Sequence, residues 1–347
     1  MQPLEVNGAY GEGGGQLLRT AVALSAITRR EILVQHIRAR RRPSGLAPQH
    51  VAAVRAVAAL CHADTEGLEP RSSSLRFEPR ALRGGHHRID VGTAGSVTLV
   101  LQAMLPVMLA AGKSVSATIN GGTDVRKAPA ADYFAHVLLP LLSRIGARVD
   151  FAVVKRGYYP AGGGEVRVVV EPSVLRLVAL DRPGDLVAIE GLAHVADLPL
   201  DIALRMRDAA LRALAAVPGS APRIETCLLS NEAVFGHGGA IAVWARTENS
   251  VLGASRVAER GVRAETLGAA VGEALTTDLA SGASIDVHAA DQLLVYLALA
   301  GGGTYTTRVL TAHAHTAMWL IEQFLPIRFM VRETGGLVHV AVVPTAR

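Results

Sequence analysis

Apolar segments with helical spacing stand behind glycine-rich turns in this chain. Residues 11–15 read Gly-Glu-Gly-Gly-Gly and open onto residues 16–27, where Leu17, Ala21 and Leu24 share one face at i, i+4 and i+7. Residues 92–95, Gly-Thr-Ala-Gly, open in the same way onto the apolar segment 96–111. Residues 291–300 and a helix over 316–325 form a third candidate of this kind. Between them lie short alternating runs at 31–37, 75–78, 115–119 and 165–170, which predict strands. Helices alternating with short strands predict an α+β fold of repeated units, each a sheet backed by two helices.

Residues 181–280 carry a different pattern. Asp181-Arg182-Pro183-Gly184 stands at one end and Ser281-Gly282-Ala283 follows the other, and both read as hinges. Inside lie a charged amphipathic helix over 200–215, strands at 223–229 and 240–247, and a helix over 263–279. The expected organisation is a catalytic domain of residues 1–180 and 281–347, with a small α/β domain inserted at 181–280.

Half of the 347 residues are apolar and only 4% are aromatic, so the core must be built mainly from Ala, Val and Leu. That much apolar surface excludes a disordered chain. The net charge of +5 permits a polyanionic partner, and Arg38, Arg40, Arg41 and Arg42 concentrate it within five positions. The two cysteines, Cys61 and Cys227, have no CxxC spacing and give no support to a zinc or redox site. The first residues lack the basic-then-apolar pattern of a signal peptide, and the apolar segment 96–111 is short for a membrane span. A cytoplasmic protein without a membrane partner is expected.

Five segments carry candidate chemistry. In residues 11–19 the glycines let backbone wrap a ligand, and the helix behind them offers free N–H groups to a phosphate. Gln16 and Arg19 sit one turn apart, and Glu12 suits a divalent cation beside phosphates. A tight strand-to-helix turn explains the glycines equally well. The loop is neither a Walker A motif nor a dinucleotide fingerprint, because no Gly-Lys-Ser/Thr follows and Gln16 replaces the third glycine. Residues 37–50 set a basic cluster before Gln49 and His50 at a helix start, which suits phosphate or RNA backbone contact. In residues 120–134, Pro129 and Tyr133 are spaced to clamp a flat base, unless Tyr133 belongs to the core. Asp291 and Gln292, in the segment 288–292, suit a ribose or adenine edge, or an ordinary helix start. Residues 311–316 place His313 and His315 ahead of an apolar helix, where the positive helix end favours a neutral imidazole able to attack phosphorus.

In order, these segments resemble the RNA 3′-terminal phosphate cyclases. The matching stretches are GEGGGQLLRTAVALS, IRARRRPSGLAPQH, GTAGSVTLVLQAMLP, NGGTD with APAADYF, GYYPAGGGEV, ADQLLVYLALAG and HAHTAMWLIEQFLPIRF, and they span nearly the whole chain. The resemblance implies three repeated units, each a four-stranded sheet on two helices, with a smaller inserted domain. It implies ATP as co-substrate, Mg or Mn as metal, and an RNA bearing a 3′-terminal phosphate as partner; a homodimer is a candidate assembly. It implies attack of a histidine on the α-phosphorus of ATP, transfer of AMP to the RNA phosphate, and closure of a 2′,3′-cyclic phosphate.

By the same resemblance the histidine is His313 and the metal-side carboxylate is Glu12. Pro129 and Tyr133 match the adenine clamp. Gln102, His288, Ala289, Ala290, Asp291 and Gln292 match nucleotide contacts. Gln16, Arg19, Arg38, Arg41, Gln49 and His50 match the lining near the phosphates. Tyr133 stands where Phe is common, and Arg126-Lys127 adds charge near the clamp. Two competing readings are a non-catalytic relative in ribosome assembly, which would lack the histidine, and a carboxyvinyl transferase on similar repeated units, which would form no histidine–nucleotide intermediate.

Overall fold

The computed structural model describes residues 2–230 and 233–345. Its first sheet comprises β1 (Leu4–Asn7), β2 (Ile32–Gln35), β3 (Asp64–Glu66) and β4 (Leu75–Glu78), with α1 (Gly15–Thr28) after β1 and α2 (Pro48–Cys61) after β2. The order is β1-β2-β4-β3; β1 and β2 run parallel and the other neighbours antiparallel.

The second sheet begins with β5 (Gly85–Asp90), followed by α3 (Val97–Ala110) and β6 (Val115–Gly121). A helical stretch follows: α4 (Ala131–Tyr133), a π-turn (Phe134–Leu138) and α5 (Leu139–Arg144). Strands β7 (Arg148–Gly157) and β8 (Gly164–Glu171) complete the order β5-β6-β8-β7 with the same pairing senses.

A third sheet starts at β9 (Ala179–Leu180) and is interrupted. The interruption holds β10 (Leu186–Ala196), α6 (Leu200–Leu214), β11 (Arg223–Leu229), β12 (Val234–Phe235), β13 (Gly238–Thr247), β14 (Val251–Val257) and α7 (Ala264–Ala280). Its own sheet runs β11-β10-β13-β14, while β12 joins the outer edge of β7. The third sheet then resumes with α8 (Val287–Leu299), β15 (Gly303–Thr307), α9 (Ala312–Glu322), β16 (Ile327–Thr334) and β17 (Leu337–Pro344), in the order β9-β15-β17-β16.

One apolar core joins the three interleaved sheets and their helices. A second, built from Ile189, Met206, Leu214, Ile241, Val271 and Leu275 among others, lies wholly within the interrupting segment. Each fully buried Leu, Ile or Val contributes about 1.5–3 kcal/mol. As composition implied, the helices pack through Ala, Val and Leu, with Ala21, Ala23, Ala53 and Ala56 fully or almost fully buried. Small side chains bring helices close, and α1 touches α2, α3 and α9. The glycine turn that begins α1 therefore sits at the junction of those helices. No helix among the described residues is long and apolar enough to cross a membrane.

Two helix starts differ from the sequence expectation. The helix expected over 316–325 begins at Ala312, because Thr311 caps it by accepting the Ala314 N–H through Oγ1 at 3.1 Å. The segment expected from 291 begins at Val287, where Asp286 accepts the His288 and Ala289 N–H groups. Both caps are polar residues ahead of the apolar spacing, which is why spacing alone places the starts late.

Candidate active site

The glycine turn is built by close approach. Gly11 has φ +56, and a Cβ there would run into the Thr316 hydroxyl of α9. A Cβ on Gly15 would run into the His50 ring. Side chains from α9 and α2 thus fill the space that these glycines leave open. The Thr316 hydroxyl accepts the Glu12 N–H at 3.2 Å and donates to the Ala312 carbonyl at 2.8 Å, tying the turn to α9.

This tie sets Glu12 against His313. His313 lies in the first turn of α9 with its side chain 45% exposed, and its Nδ1 is 3.1 Å from Glu12 Oε2. The two atoms are close enough to attract, yet the angle between them is not that of a hydrogen bond. The other Glu12 oxygen pairs with Arg41. Burial would raise the Glu12 pKa, but His313 and Arg41 outweigh it and hold the carboxyl below its ordinary value. Contact with Glu12 lifts His313 above the usual imidazole value. The positive helix end, which alone favours the neutral ring, is overridden by the carboxylate. His315 is exposed.

Residues of α1, α3, α8 and α9 line a small cavity of about 40 Å³. Five expected residues line it: Gln16, Arg19, Gln102, Asp291 and Gln292. Arg19 is buried; burial lowers its pKa to about 10, with Glu12 opposing. Arg19 donates to Gln102 Oε1 at 3.4 Å, and Gln102 Nε2 donates to Gln292 Oε1 at 2.8 Å. Asp291 accepts the Thr311 hydroxyl at 2.7 Å, and burial pushes its pKa up to about 6. Pro106 within α3 has no N–H for the Gln102 carbonyl.

The remaining expected residues are placed less uniformly. Arg38 donates to the Gly45 carbonyl at 2.8 Å, and Gln49 accepts the Ser96 N–H at 3.3 Å, joining the starts of α2 and α3. His50 is buried; burial first, then Arg19 and Arg38, lower its pKa to about 3. Its Nδ1 accepts the Ala47 N–H at 3.0 Å, so this ring is a neutral brace under the glycine turn, with no positive charge for a phosphate. His288 is exposed, and Ala289 and Ala290 point into the core.

Tyr133 corrects the expected clamp. Its ring is 2% exposed and its hydroxyl donates to Asp286 Oδ1 at 2.8 Å. No ring face is open for stacking; the hydroxyl that a Phe would lack secures the cap of α8 instead. Pro129 is partly exposed, and its carbonyl accepts the Thr98 hydroxyl at 2.7 Å. Arg126 is paired with Glu259 at 2.9 Å, so its charge is directed to the interrupting segment.

Sequence reasoning missed Tyr296, which lines the cavity, and Thr311. Tyr296 follows Gln292 by one helical turn, a spacing that places both on one face. It also missed a buried cluster of Asp124, Asp132 and His194. These groups are close enough for a cation, but Arg156 already serves as one: its Nη1 lies 3.1 Å from Asp124, 2.9 Å from Asp132 and 3.0 Å from His194 Nε2. The cluster is an ion network joining β7 to β10.

A glycine turn opening a helix, arginines near it, and an imidazole beside a carboxylate make up a polar, basic site on an α+β scaffold, a combination suited to phosphate groups. Residues 10–331 match the family model described as RNA 3′-terminal phosphate cyclase, and the chain belongs to that family. It is 53% identical over 342 residues to a protein of Nitrosospira multiformis with that name, covering 98% of this chain and 96% of the relative. Relatives of the same name from Methanosarcina acetivorans (40%; 98% of this chain and 99% of the relative) and Pyrobaculum neutrophilum (41%; 96% of each) are also similar.

Proposed function

We propose that the protein converts an RNA 3′-terminal phosphate to a 2′,3′-cyclic phosphodiester at the expense of ATP, through a covalent His313–AMP intermediate. The observation that carries this reading is the 3.1 Å approach of His313 Nδ1 to Glu12 Oε2 at the glycine turn. Glu12 favours the protonated ring, so Nε2 gives up its proton to solvent before attack, while the proton on Nδ1 stays facing the carboxylate and the freed lone pair on Nε2 becomes the nucleophile. Nε2 bonds to the α-phosphorus as the bond to pyrophosphate breaks. An oxygen of the RNA 3′-phosphate then takes the adenylyl group from Nε2. The neighbouring 2′-hydroxyl attacks the activated phosphate, loses its proton and expels AMP. This last step is intramolecular and favoured by proximity.

Arg19, Arg38 and Arg41 are the charges we assign to the phosphates, with Gln16 and Gln49 as neutral donors beside them. A divalent metal fits Glu12: its Oε2 is buried without a hydrogen bond, and one carboxylate plus substrate phosphates suits Mg or Mn. When bound, the metal supplies positive charge against the phosphates. The adenine side is assigned to Pro129, Gln102, Asp291 and Gln292, with exposed His288 at the rim and Tyr133 as buried support.

The common strand order and pairing senses support three copies of one unit, each a four-stranded sheet with two helices. The separate apolar core supports residues 181–280 as an inserted α/β domain. The test is to incubate the protein with ATP, metal and an RNA ending in a 3′-phosphate. The end should become resistant to phosphatase, with AMP and pyrophosphate released; a phosphatase-sensitive end after prolonged incubation would refute the reading.

A further inference from the structure

Tyr10 and Trp319 flank the site without any part in the chemistry above. Their rings are stacked, with centroids 3.7 Å apart and planes at 18°. Tyr10 lies two positions before Glu12, and its carbonyl accepts the Gly13 N–H at 2.9 Å. Trp319 lies on α9, one turn beyond the Thr316 that holds Glu12 and about 9 Å along the axis from His313. Tyr10 is nevertheless 41% exposed. A large aromatic left this open costs apolar surface that burial would stabilise. The turn also carries basic side chains: Arg40 and Arg41 donate to the Gly11 and Glu12 carbonyls at 3.5 and 3.4 Å, and Arg42, next in the chain, is exposed.

We propose that the stacked Tyr10–Trp319 pair is a platform for a nucleobase at the 3′ end of the RNA. Resting on the cyclase reading, the proposal adds a base-binding surface to the phosphate chemistry. A strand end has two parts, a charged backbone and flat bases, and the turn carries partners for both. The basic side chains take phosphates, while the open face of Tyr10, backed by Trp319, offers a rigid stacking surface. Base–aromatic stacking is indifferent to base identity because every base has a π-face. The platform therefore favours RNA ends over small phosphates without imposing a sequence. His315, exposed and one helical turn before Trp319, borders the same face of α9.

The chain has two tryptophans, so Trp244→Phe leaves Trp319 as the sole indole. In that background, a short RNA with a 3′-phosphate should change Trp319 fluorescence saturably, and ribose 3-phosphate, which lacks a base, should not. Stacking on an aromatic is worth about 1–3 kcal/mol per base, so Tyr10→Ala should raise the KM for RNA roughly 5- to 150-fold. Tyr10→Phe should restore it. Covalent AMP formation, which involves no RNA, should stay at the unsubstituted level in both. Unchanged Trp319 fluorescence at saturating RNA, or an unchanged KM in Tyr10→Ala, would overturn the proposal. Loss of the adduct in Tyr10→Ala with silent fluorescence would make the pair a clasp for the turn and also overturn it. A parent enzyme that forms no AMP adduct would instead defeat the cyclase reading, whatever Trp319 reports.

Discussion

Asp291 is a carboxyl kept largely from water at the edge of the small cavity between the helices, and its folded pKa of about 6 stands above the ordinary 3.8. The folded protein then binds this proton more tightly than the unfolded chain. Stability therefore falls as pH rises from about 4 to about 6, by about 3 kcal/mol in total. Asp291→Asn keeps an acceptor for the Thr311 hydroxyl and removes the titration. Urea unfolding at pH 4 and pH 7.5 should show the variant gaining up to about 3 kcal/mol on the parent toward neutral pH; parallel profiles would contradict the assignment. Glu12, Arg19 and the two candidate histidines were legible in the sequence because charged groups at a glycine turn and a helix start have few packing uses. The states of His50 and Tyr133 were not. They depend on Gly15 and Asp286, which lie far away along the chain and meet these rings only in the folded protein.

At the scale of elements, α9 carries the account. Thr311 caps the helix and also bonds Asp291 on α8, so one hydroxyl fixes both the first turn and its neighbour. Thr311→Ala should cost about 1 kcal/mol from the lost cap, with a further loss from the unpaired Asp291 oxygen. Because His313 sits in that turn, single-turnover labelling by ATP should slow by more than the melting temperature alone implies. Labelling at the parental rate in a destabilised variant would show that the cap does not position His313. Helices with an apolar stripe were readable, and so were strands with clean alternation. Strand β5 was not, since His86, His87 and Arg88 give it a largely polar surface. The π-turn after Tyr133 was also invisible, because it keeps helical composition while shifting the bonding by one residue.

For the whole molecule, the ion network of Arg156 with Asp124, Asp132 and His194 joins the inserted segment to the second sheet. Removing one member of a buried network strands the others, and Arg156→Met should cost about 3–5 kcal/mol. Hydrogen exchange should rise in residues 186–257 while ATP labelling at His313 persists. Loss of labelling in a folded variant would mean that the segment takes part in the nucleotide site. The Pro/Gly turns near residues 181–184 and 281–283 are visible in the sequence, whereas the contacts of the intervening residues with the second sheet are not, because β12 and the network join distant parts of the chain.

The central claim is that His313 is the nucleophile, and two substitutions test it most directly. His313 faces Glu12, and His315, two positions on, is exposed on another side of α9. His313→Ala and His315→Ala are each incubated with metal and α-labelled ATP, then assayed for acid-labile, covalently bound AMP. The account predicts no adduct in His313→Ala and a parental yield in His315→Ala. An adduct retained in His313→Ala, with its loss in His315→Ala, would contradict it.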